Sequence, residues 1–145
     1  MFLITTANED TWKKDEKVLF LGEWCKRYSR KSVWTNLDYE VLPYHWDDRE
    51  KYYHDYKTLG VVYEKYLCKT ALLLNEYHNC DYSIRYWRII VGFWLSYLIN
   101  ILFDRYSSIN TARRHQNIDS TFVINNDWED WVAGNYLDFR NQFRT

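Results

Sequence analysis

The stretch "PYHWDDRE", Pro43 to Glu50, sets a histidine beside two aspartates directly after a β-prone run. An imidazole titrates near neutrality, so His45 suits a general base. Asp47 or Asp48 could orient it. The same carboxylates also suit the positive N-terminal end of a helix, which would leave His45 as a loop residue.

A second cluster is "GEWCKRYSRK", Gly22 to Lys31. Gly22 at a strand end lets the backbone approach a ligand. Lys26, Arg27, Arg30 and Lys31 are cations that could meet phosphate, pyrophosphate or a sugar carboxylate. Neither GxGxxG nor GxxxxGK[ST] occurs, so the two standard phosphate-loop readings fail, and a solvated basic face explains the run equally well. Cys25 becomes a nucleophile only beside a base, which the sequence does not place.

The third is "RYWRIIVGFW", Arg85 to Trp94. Arg85 and Arg88 share one helix face near its N-terminus, where two guanidiniums make an anion site. Trp87 and Trp94 fall on one stripe and could stack a sugar or a base. The alternative puts both tryptophans in the core and pairs both arginines with acids of the preceding helix. In "DWEDW", Asp127 to Trp131, helix capping accounts for the acids. Glycoside chemistry would need a set carboxylate separation across a sugar.

The elements that must position these groups follow from the pattern. At 145 residues the chain is about one domain long and can bury a real core. With 19 basic and 20 acidic residues, no whole-protein field recruits nucleic acid or anionic lipid. The 8 Trp and 14 Tyr suit half-wet grooves as well as cores. Three cysteines without CxxC spacing give neither a disulfide framework nor a zinc site, and reduced thiols in a cytosolic protein are the simpler reading. "MFLITTANED" lacks the basic and apolar regions of a secretory signal. Ile89 to Phe103 carries no charge over 15 residues, short of the roughly 20 that a span needs, so a buried core helix is expected.

Strands are predicted over Phe2–Ala7, Val18–Gly22, Tyr39–Tyr44 and Thr121–Asn125. The run Val18–Leu21 is continuously apolar, as in a strand with both faces covered. One long helix is predicted from Asp47 to His78. Its seam is Tyr52, Tyr56, Leu59, Tyr63, Tyr66, Leu73 and Tyr77. A second runs from Ser83 to Thr111, and the two form an antiparallel hairpin. A last helix starts at Asp127. The sum is α/β, a small, mostly parallel sheet with a long helical hairpin.

Taken in order, "FLITTA", "VLFLGEWC", "YSRK", "DYEVLPYHWDDREK", "RYWRIIVGFWL" and "ILFDRY" resemble the N-terminal region of a transferase family encoded in bacterial O-antigen and surface-polysaccharide gene clusters. The resemblance runs from about Phe2 to Thr111 and is expected to extend to Thr145. It departs from the family pattern at Phe93, where proline is expected. It implies the first, acceptor-side domain, residues 1–145, of a two-domain glycosyltransferase-like enzyme that makes lipopolysaccharide or another surface glycan. The expected partners are a sugar acceptor or glycan intermediate and a missing C-terminal domain, without nucleic acid. The donor, a nucleotide sugar, is then held mainly by that second domain. No cofactor and no metal is expected on this chain alone, which is inactive by itself. The implied place is the cytoplasm at the inner face of the membrane, with peripheral contact and no span. Glu23, His45 and Asp47 are the expected catalytic groups; Arg30, Arg85, Arg88, Trp87 and Trp94 are the expected substrate contacts. A non-catalytic remnant or interaction module with an exposed aromatic interface is the alternative.

Overall fold

The computed structural model describes residues 1–115, 117–123, 125, 127, 137 and 138. The chain divides into two compact units, one of Met1–Tyr44 with Ser108–Thr145 and one of His45–Ser107.

The first unit is built on four short strands, β1 (Phe2–Ile4), β2 (Val18–Phe20), β3 (Tyr39–Val41) and β4 (Ser120–Thr121). They form one sheet in the order β3-β2-β1-β4, with every pairing parallel. Val18, Leu19 and Phe20 are all buried, which is why β2 reads as an unbroken apolar run. Phe20 sits at the centre, with Trp12 and Tyr39 edge-on to its ring at 5.2 and 5.5 Å. Parallel strands need crossovers. The β2–β3 crossover carries two 3-10 turns, Glu23–Cys25 and Tyr28–Arg30, and the short helix α1 (Lys31–Trp34).

The strands are shorter than the sequence predicts. After Ile4 the chain is drawn out of the ladder by local bonds. The Thr6 carbonyl accepts from the Trp12 indole at 3.0 Å, and the Thr6 hydroxyl accepts from the Asn8 N–H at 3.2 Å. Gly22 has an extended backbone open to any residue. Its glycine answers to packing: a Cβ there would lie 2.1 Å from the Trp24 ring. The predicted C-terminal helix and the acids of "DWEDW" fall largely outside the described residues.

The second unit is a helical hairpin of α2 (Arg49–His78) and the body of α3 (Ile84–Ala112). Asp48, not Asp47, caps α2, its Oδ1 accepting from Glu50 N at 3.0 Å and Lys51 N at 3.1 Å. The reversal is built around Asn79, left-handed at φ 49°, and Asn75. The Asn75 side-chain oxygen accepts from Tyr82 N at 3.0 Å and from the Trp87 indole at 2.7 Å.

Two packing expectations are corrected here. The predicted seam is buried only in part: α2 buries Asp55, Leu59, Leu67 and Ala71, of which Leu59 belongs to the seam, and Tyr63 is half-buried, while Tyr52, Tyr56, Tyr66, Leu73 and Tyr77 stay exposed. Small and aliphatic side chains let the helices approach, and the phenols of the exposed tyrosines stay in water. Nor is α3 enclosed on all sides. Trp87, Gly92 and Leu95 are buried, but Ile89 and Phe93 are 73% and 74% exposed. By length and composition α3 is long and apolar enough to cross a membrane.

Candidate functional site

The densest polar arrangement lies at the open end of the hairpin, where the start of α2 meets the last turns of α3. The His45 side chain is 5% exposed. Its Nε2 lies 3.0 Å from Asp104 Oδ1, and its Nδ1 lies 3.3 Å from Lys51 Nζ. Lys51 also bonds the Asp55 carboxylate, which accepts from the Trp46 indole at 3.1 Å as well. Arg105 reaches the other Asp104 oxygen at 3.0 Å. Aromatic rings wall the cluster. Phe103 stacks on Trp46 at 6.1 Å, and His45 lies against Trp46 at 4.7 Å.

The tautomer of His45 follows from its neighbours. An ammonium has donors and no acceptor, so the nitrogen facing Lys51 must accept. The ring proton therefore sits on Nε2 and is donated to Asp104. This is the arrangement in which a carboxylate orients an imidazole and its far nitrogen can take a proton. Lys51 occupies that far nitrogen here. Its side chain is 38% exposed on a flexible stem, so it can swing aside while keeping Asp55 as a partner. Burial pushes the Asp55 carboxyl up, but the bonds from Lys51 and Trp46 outweigh it and hold the group below the usual aspartate value.

A second polar site lies in the first unit, past the carboxyl ends of β1 and β2, the edge where open α/β sheets place ligands. Asn8, Glu9, Asp10, Arg27 and Arg30 line a groove of about 330 Å³. Arg30 forks onto Glu9 through two bonds of 2.6 and 2.7 Å. That pairing lowers Glu9 and raises Arg30. The groove is thus close to internally neutralised, not an open cation site.

The other expected residues are placed as follows. Glu23 is exposed and paired with Lys26 at 3.0 Å. Asp47 is exposed, and Asp104 stands where Asp47 or Asp48 was expected to orient His45. Arg88 grips Glu64 of α2 at 2.6 and 2.7 Å, which raises its pKa, while Arg85 is exposed. Trp87 is corrected from a stacking platform to a packing residue, since its indole is buried against His78 and bonded to Asn75. Trp94 remains partly exposed. Cys25 is fully buried with its thiol toward the Ile4 carbonyl, 3.6 Å away, so it is not an accessible nucleophile. No His, Cys, Asp and Glu cluster suited to a metal occurs among the described residues.

Sequence reasoning missed Lys51, Asp55 and Asp104. Lys51 and Asp55 were readable as an opposite-charge pair one helical turn apart. Asp104 was readable only by folding two helices of nearly equal length back on each other, which brings the start of one toward the end of the other.

The family model described as LIC12162 family transferase covers residues 1–145. No curated protein matches, and no solved structure matches.

Proposed function

The chain belongs to the LIC12162 family of transferases, and from that premise we propose that it carries the acceptor side of a sugar transferase of bacterial surface-polysaccharide or O-antigen assembly. The observation that carries the reading is His45, held by Asp104 on one nitrogen and shielded by Lys51 on the other. An acceptor hydroxyl displaces Lys51 from Nδ1. The hydroxyl oxygen attacks the anomeric carbon of a nucleotide sugar. The new C–O bond forms as the bond from that carbon to phosphate breaks, and the nucleoside diphosphate leaves with the electron pair. The hydroxyl proton goes to Nδ1 of His45. Asp104 stabilises the imidazolium, the role first expected of Asp47 or Asp48.

The donor nucleotide, in this reading, is held mainly by sequence beyond these residues. The purified 145-residue chain, given nucleotide-sugar donors and a surface-glycan acceptor, is therefore expected to yield no transfer product. Product measured by mass spectrometry at many turnovers per chain would overturn the placement of the donor site beyond these residues and leave the sugar-transferase reading standing.

A second reading, a protein-interaction module, is favoured by one observation: the bare apolar face of α3 at Ile89, Ile90 and Phe93. Light scattering separates the two, because a strictly monomeric chain argues against an orphaned interface.

A further inference from the structure

The hairpin carries a groove that the base chemistry does not use. Tyr52, Tyr56, Gly60 and Tyr63 of α2 and Ser96 and Asn100 of α3 line it, with a volume of about 500 Å³. Its composition narrows the occupant. Tyrosine faces take the C–H faces of sugar rings, and phenol, hydroxyl and amide groups take sugar hydroxyls. Asn100 donates one bond to the Ser96 carbonyl at 2.8 Å, which leaves its amide oxygen available to a ligand. Lys57 is the single charged residue of the lining, and its ammonium lies over the Tyr53 ring at 4.2 Å. One diverted cation is a poor cradle for phosphate or a nucleotide.

Gly60 is the second observation. Glycine is the poorest helix former short of proline, and Gly60 stands inside a 30-residue helix. A Cβ built on it meets nothing within 4 Å. Among the described residues no neighbour therefore requires the glycine. On the groove wall, the missing side chain leaves room for a ligand to lie against the helix backbone.

The third is continuity. Tyr52 lies edge-on to Trp46 at 5.6 Å, and Trp46 abuts His45 at 4.7 Å. From Tyr52 to Tyr63 the helix rises about 16 Å, room for several sugar rings. We infer that this groove holds an uncharged stretch of the acceptor glycan, with its growing end at the Trp46–His45 end. The inference rests on the acceptor-side reading above and names where the acceptor lies.

The test is binding, which needs no turnover. The whole chain is applied to an array of bacterial surface glycans, and a retained glycan is titrated by saturation-transfer NMR. Expected is binding that weakens at least tenfold in Tyr56→Ala and in Gly60→Leu, which fills the groove. Binding should stay within about twofold in Tyr66→Ala, which removes an exposed tyrosine of α2 outside the groove lining. Circular dichroism checks that each variant is folded. No retained glycan, or binding that Gly60→Leu leaves intact, overturns the inference. So does retention that needs a phosphate or sulfate on the glycan and is lost in Lys57→Ala. Groove-dependent binding together with unimpaired transfer by His45→Ala in an active assembly that contains this chain would overturn the base assignment and leave the groove standing.

Discussion

Replacing His45 by alanine is expected to slow sugar transfer by about 10²- to 10⁴-fold in an active assembly that contains this chain, the usual contribution of a positioned general base. The loss should fall on the rate of the chemical step, because His45 is 5% exposed and is not a lining residue of the glycan groove. Acceptor affinity should change little. Asp104→Asn keeps the shape but removes the charge that stabilises the imidazolium, so it should lower the same rate by less. Single-turnover transfer of a labelled sugar, with acceptor binding measured separately, checks both. An equal loss of binding and rate in His45→Ala would point to a residue that merely holds the hairpin end together.

Asp55→Ala is expected to be the most damaging polar substitution for stability in the hairpin. Asp55 is buried and serves two donors, the Lys51 ammonium and the Trp46 indole. Removing it leaves a half-buried N–H without its partner and frees an ammonium. Lys51 is partly exposed and is resolvated, so the ion-pair share is discounted for solvent screening. The remaining cost is about 2 kcal/mol, a fall of roughly 10 °C in Tm for a small unit. The pH dependence has a definite sign. The Asp55 pKa is depressed on folding, so its contribution is present above the unfolded aspartate value of about 3.9 and is lost as pH falls through the lower folded value. Asp55→Asn should therefore lose less stability than the wild type between pH 5 and pH 2 in paired thermal melts. Equal losses would mean that the carboxylate's charge is not what the cluster uses.

Several parts of the fold were legible in the sequence because local chemistry decides them. Val18–Phe20 reads as a covered strand since nothing polar interrupts it, and the acids before α2 read as a cap since helix ends need acceptors. The hairpin itself was legible from two long helical patterns joined by "HNCDYS". The buried side of α2 was not. Tyrosines at seam spacing look like core by size, yet their hydroxyls keep them at the surface, and Leu67 and Ala71 pack in their place. Trp87 misled in the opposite direction, since an indole on a stripe looks like a platform until Asn75 claims its N–H. The site was half legible. His45 stood out by type, but Asp104 lies 59 residues away and meets it only through the hairpin register. Arg30 looked like an anion binder because its partner Glu9 is also distant in sequence, while the pairing of Arg88 with an acid of the preceding helix, Glu64, was one of the two readings open.

The central claim is that His45 carries its proton on the nitrogen facing Asp104 and keeps the nitrogen facing Lys51 bare for a substrate proton. Imidazole ¹⁵N NMR of the chain, labelled at histidine and recorded near pH 8.5, reads this directly. The account predicts a protonated Nε2 and an unprotonated Nδ1 at His45, unchanged in Lys51→Ala. A proton on Nδ1, or protons on both nitrogens, would contradict it, because the nitrogen assigned to the attacking hydroxyl could then not take its proton.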